Sequence, residues 1–147
     1  MVSHVDYSVR VSGNIGDVFT AFLSHERLLH RGVYAEASWI EGEPWQVGSR
    51  ARYVVIKPVP STIAAVVTVF NPPRHLSVIN HGLGITVEQN VYFSTDSGGG
   101  TRVRMTMEFL GDSPVLTQRE VLTALEFVTH DMLDNLVGFC RKLAAGA

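Results

Sequence analysis

Cysteine is almost missing from this sequence: Cys140 stands alone among 147 residues, which excludes an internal disulfide. It falls on the apolar face of the last helical segment, where a small buried hydrophobe is its ordinary role. An excess of charge of one sign is missing too. Twelve basic and fourteen acidic residues are spread along the chain, net charge -2, with no polycationic stripe for nucleic acid and no basic helix for a membrane surface. No uninterrupted apolar run approaches membrane-spanning length, so no integral membrane contact is expected. The opening MVSHVDYSVRV sets His4, Asp6 and Arg10 among its apolar residues, which is incompatible with a secretory core, and a cytoplasmic location is the expectation.

Motifs that carry chemistry are equally scarce. A Gly-x-Ser-x-Gly nucleophile elbow is absent. Gly98, Gly99 and Gly100 precede a strand rather than a helix, so they read as a hairpin loop and not a phosphate cradle. Among six histidines, His25 and His30 are five apart and His75 and His81 flank a strand. None has the four-residue helical spacing with a carboxylate that a zinc hydrolase uses, so neither metal nor cofactor is expected.

What is present reads as one domain over residues 1–147, a length that buries roughly 68–70% of the unfolded chain's surface. Val5, Tyr7, Val9 and Val11 alternate with polar residues and predict an opening strand. Asn14 offers an N-cap, and Ile15, Val18, Phe19, Phe22 and Leu23 form a helical stripe. Two short helices are expected between residues 15 and 30. From Tyr34 to Phe109, six strands follow one another, separated by turn clusters rich in proline and glycine. Short consecutive connections imply an antiparallel meander, seven strands in all.

The last 30 or so residues read as one helix. Thr117 and Glu120 have capping-box spacing, and a stripe from Val121 through Leu125, Met132 and Leu136 to Leu143 faces one side. At about 26 residues, or roughly 39 Å, only this helix is long enough to cover the apolar face of the sheet. The expected fold is α+β: a curved seven-stranded antiparallel sheet gripping a long C-terminal helix, with a cavity where side chains fail to fill the centre.

The order of these elements, the segment Glu43-Pro44-Trp45-Gln46-Val47-Gly48-Ser49, the turn Asn71-Pro72-Pro73-Arg74-His75-Leu76 and Gly99-Gly100-Thr101-Arg102-Val103 resemble the SRPBCC superfamily of START-type lipid-transfer domains, pollen-allergen proteins and polyketide cyclases. The resemblance covers nearly the whole chain and carries turn geometry rather than chemistry. It implies a helix-grip domain that binds lipids, sterols, polyketides or plant hormones, catalyses cyclisation or dehydration, or regulates a chaperone. It assigns no catalytic residue here.

Alternation along the last two strands sets Val87, Gln89, Val91 and Phe93, then Val103, Met105, Met107 and Phe109, toward the interior. Gln89 is a buried amide and needs a hydrogen bond from protein, water or ligand. A ligand-lining set follows: Val91, Met105, Met107, Leu125 and Met132 as apolar wall, Gln89 as orienting amide, and Trp39, Tyr53 and Thr129 as further contacts. Thr129 can instead satisfy its hydroxyl on the carbonyl one turn back, and Trp45 reads as a packing or lid residue. Gln89 is expected opposite Met105, because pairing it with Met107 would set Glu88 against Glu108. Phe127 lies among polar residues and suggests a surface for a homodimer. The expected function is binding or carriage of a small hydrophobic, lipid- or polyketide-like ligand. A cyclase or dehydratase using the same cavity, with a Tyr, Arg or His moving protons, is the alternative, and a chaperone-regulator module a second.

Overall fold

The computed structural model describes residues 3–24, 33–111, 113–114 and 116–146. Strand β1 (Ser3–Val11) leads into helix α1 (Ile15–Phe22). Then come β2 (Tyr34–Glu41), β3 (Arg50–Val55), β4 (Ser61–Asn71), β5 (His75–Gly82), β6 (Ile85–Thr95) and β7 (Thr101–Leu110), and the chain closes with helix α2 (Gln118–Gly146). The seven described strands form one antiparallel sheet in the order β1-β7-β6-β5-β4-β3-β2, in which β1 pairs non-sequentially with β7. The expected sheet and long helix are present. The second short helix expected before residue 30 falls outside the described residues, as do His25 and His30.

Local chemistry explains where the helices start. Asn14 has extended backbone angles, and its side chain accepts the Asp17 N–H at 2.9 Å. At α2 both halves of the capping box form: Thr117 Oγ1 accepts the Glu120 N–H at 3.1 Å, and Glu120 Oε1 accepts the Thr117 N–H at 3.0 Å. No helix among the described residues is long and apolar enough to cross a membrane.

Packing divides the interior into two halves. Helix α2 lies mainly along β1, with lighter contact to β7 and α1. Its buried stripe is Val121, Thr129, Leu133, Leu136 and Cys140. Burial also pushes the Cys140 thiol above its ordinary pKa, as fits a packing cysteine. Leu143, expected on this stripe, is 52% exposed, because every described residue from 141 to 146 runs past the core. Helix α1 plugs one end: Phe19 and Phe22 meet Phe93 edge-on, with ring centroids 4.9 and 5.8 Å apart.

The strand faces agree with alternation, but the register of the last hairpin does not agree with charge pairing. Gln89 sits opposite Met107, and Glu88 opposite Glu108. Gln89 opposite Met105 would pair Thr95 with Gly99 and leave residues 96 to 98 for the turn. Instead Thr95 pairs with Thr101, and the five-residue loop closes on itself: Asp96 N–H donates to Gly100 O at 2.8 Å and Gly99 N–H to Asp96 O at 3.0 Å. The loop outweighs the repulsion, since Glu88 and Glu108 are both exposed and screened. Glu88 also accepts from Asn90 Nδ2 at 2.9 Å, and His4 of β1 stands opposite Glu108. At the β5–β6 hairpin, Gly82 pairs with Ile85 and the two linking residues, Leu83 and Gly84, have φ of 55° and 76°. Two positive φ values are the signature of a type I′ turn, which suits Gly84 and strains Leu83.

Candidate ligand cavity

Because α2 is seated on the β1 side, its face toward β3, β4 and β5 stands off from the sheet, while toward β6 Met132 reaches Gln89. A cavity of about 140 Å³ remains between them. Ala124, Leu125, Val128 and Met132 of α2 form one wall; all are inward-facing yet half-buried, as cavity-lining residues are. Ile63 of β4, Leu76 and Val78 of β5, and Ile85 and Val87 of β6 form the opposite wall. Phe22 and Trp45 close the α1 end, while Pro58, Val59, Leu83 and Leu116 bring loop residues to the rest of the rim.

Of the residues expected from sequence to meet a ligand, Tyr53, Gln89, Met107, Leu125 and Met132 line this cavity. Four do not. Val91 and Met105 are 0% exposed and packed solid, because α1 fills the interior from Val91 and Phe93 onward. Trp39 is a partner of Trp45 instead, with centroids 5.1 Å apart and planes at 72°. Trp45, as expected, packs: it is 6% exposed and donates from Nε1 to Leu23 O at 3.1 Å. Thr129 is 0% exposed on the packed side of α2, and its Oγ1 finds no hydrogen-bond partner among the described residues, so the expected bond to the carbonyl one turn back is not made.

Sequence reasoning missed Asn80. It follows Leu76 and Val78 on the inward alternation of β5, and was obscured by the turn residues directly after it. Asn80 stands opposite Val87 and Val78 opposite Gln89, so the two amides are diagonal neighbours on one face. Asn80 Nδ2 donates to Gln89 Oε1 at 3.1 Å. That bond leaves the Gln89 amide nitrogen facing two thioethers, Met105 Sδ at 3.5 Å and Met132 Sδ at 3.9 Å. Thioether sulfur is a weak acceptor.

Tyr34, at the start of β2, was missed as well. Its ring meets that of Tyr53 edge-on at 6.2 Å, and both line the cavity. Burial pushes both phenols well above the usual tyrosine pKa; Asp131 adds to the effect at Tyr34, and Tyr34 to that at Tyr53. Both therefore stay protonated through the biological pH range. No described residue lining the cavity is an Asp, Glu, His, Lys, Arg or Cys.

His130 of α2 stacks on Tyr7 of β1, with ring centroids 3.9 Å apart, and His75 and His81 are engaged on the outside of the sheet. His75 Nε2 lies 2.9 Å from Asn90 Oδ1 with its ring stacked on Tyr92, and His81 Nδ1 lies 3.1 Å from Thr86 Oγ1. Among the described residues no group of three or more His, Cys, Asp or Glu could hold a metal ion.

No protein-family model matches the chain, and no curated protein matches it in sequence. Solved structures do match. The crystal structure of Ara h 8.0201 superposes with a TM-score of 0.77 at 11% identity, over 97% of this chain and 99% of that one. A point mutant of norcoclaurine synthase from Thalictrum flavum, in complex with a transition-state analogue, gives 0.71 at 12% identity, over 98% and 97%. At such identities the likeness speaks for architecture and not for activity. Taken with the single sheet and the helix it grips, it gives this chain the helix-grip fold of those two structures.

Proposed function

We propose that this protein binds a small, mainly apolar molecule in the cavity between α2 and the sheet. The observation that carries the reading is the cavity itself, walled by aliphatic, aromatic and methionine side chains with a few amides and hydroxyls set among them. That composition is the usual one for small-molecule sites. Its size narrows the ligand. An engineered cavity of about 150 Å³ binds benzene, whereas sites for drug-sized ligands span about 300–1,000 Å³. A volume of about 140 Å³ suits a single ring with short substituents better than a long acyl chain or a fused polyketide.

Binding is favoured over cyclisation or dehydration by the side chains present. Those reactions need an acid and a base in contact with substrate, and the ionisable groups of the described lining are phenols that stay protonated. A chaperone-regulator role would have no use for an internal void. One neighbour in fold is an enzyme seen with a transition-state analogue, so the architecture accommodates ligands.

Leu125→Trp places an indole in the void from α2. It is expected to reduce uptake of single-ring apolar probes at least tenfold in isothermal titration while thermal unfolding stays cooperative. Undiminished probe binding by the folded variant would sink the reading.

A further inference from the structure

We infer that the ligand of this cavity is a neutral molecule carrying a carbonyl-type acceptor, and that the Gln89 amide N–H is the donor that holds it. The inference rests on the cavity being a ligand site and specifies what that site accepts.

Charge comes first. A ligand entering this cavity loses its water, and the described lining offers no ionised side chain to replace it. An isolated ion in such surroundings costs far more than apolar contacts return. The ligand is neutral for that reason.

Hydrogen bonding comes second. Gln89 is 9% exposed, its oxygen is taken by the Asn80 N–H, and its nitrogen therefore points its two hydrogens at Met105 and Met132. Asn80 acts here as a positioning residue, fixing which end of the Gln89 amide faces Met132, itself part of the cavity wall. A primary amide with both hydrogens on thioether sulfur is underused, because sulfur accepts weakly and an oxygen at about 2.9 Å is a much better partner. The flexible Met132 side chain, half-buried in the cavity wall, can yield its position to a ligand oxygen. A ketone, aldehyde, ester or lactone oxygen fits it. A carboxylate would bring the charge already excluded.

The test uses three probes of nearly one shape: acetophenone, its hydrocarbon isostere α-methylstyrene, and benzoate. In the full-length protein both neutral probes bind and benzoate does not. In Gln89→Leu the preference for acetophenone over α-methylstyrene falls about fivefold, the worth of one ordinary hydrogen bond. A preference unchanged in Gln89→Leu but lost in Tyr53→Phe gives the donor role to the phenol and overturns the assignment, and benzoate binding as tightly as the ketone overturns neutrality. A measurement on the unaltered protein stands independent of the variant's folding. The carbonyl stretch of bound ¹³C-labelled acetophenone moves below its position in hexane if an N–H donates to it; an unshifted band overturns the proposal. Failure of the cavity reading looks different, since then neither neutral probe binds, or Leu125→Trp binds both as well as the parent.

Discussion

Thr129 and Gln89 are both buried polar residues, and they call for opposite treatment. The Thr129 hydroxyl has no partner among the described residues, so the molecule carries the desolvation cost of that group uncompensated. Thr129→Val keeps the shape and removes the cost, and is expected to raise the melting temperature by about 2–4 °C, equivalent to about 1 kcal/mol in a domain of this size. A lower melting temperature would mean that the hydroxyl is bonded after all. Gln89→Leu deletes the acceptor of Asn80 Nδ2 and leaves a donor stranded. It is expected to lower the melting temperature by about 2–4 °C, with Gln89→Leu/Asn80→Leu recovering most of the loss in the same scan. Additive losses in the double variant would argue against a shared bond. Alternation made the inward direction of Gln89 legible in the sequence. Its partner was not legible, because Asn80 is a diagonal neighbour and that relation exists only once β5 and β6 are in register.

Among the elements, α2 was the most legible and the β6–β7 pairing the least. Thr117 and Glu120 announce the start of α2 three residues apart, and both predicted bonds are present. Thr117→Ala is expected to lower the melting temperature by about 2–4 °C, read by calorimetry. The hydrogen bonds from Thr117 also hold the Glu120 carboxyl below its ordinary pKa. A carboxyl depressed on folding adds stability above its unfolded pKa and loses it as pH falls through the folded value. The penalty of Glu120→Ala, which removes that carboxyl, should therefore shrink in acid and be constant near neutrality; a penalty that grows on acidification would contradict the capping role. The β6–β7 pairing failed for an instructive reason. Side chains alternate with a period of two, so a two-residue slip leaves every buried residue buried. Charge pairing was then the tiebreaker, and the loop of residues 96 to 100 proved stronger than two exposed glutamates.

For the molecule as a whole, the presence of a cavity could be expected from a sheet wrapped on one helix, while its position could not. Position depends on α2 leaning toward β1 and on α1 filling the far end, two tertiary choices that moved Val91 and Met105 from the expected wall into solid core. The rim contains Leu83, a leucine at φ 55° on the β5–β6 turn, half-buried between the void and water. The left-handed conformation costs a leucine roughly 1–2 kcal/mol, and glycine there would lose roughly 0.5–1 kcal/mol through the greater freedom of its unfolded chain. Leu83→Gly should accordingly leave thermal stability within about 1 kcal/mol of the parent. What the leucine supplies is a bulky side chain at the rim, and its effect belongs to time rather than to equilibrium. Stopped-flow displacement of a bound probe should show faster association and faster dissociation in Leu83→Gly, by similar factors, with the dissociation constant little changed. Unaltered rates would mean that ligands pass elsewhere along the rim; rates that rise together would make this one turn the clock that sets how long a molecule stays inside.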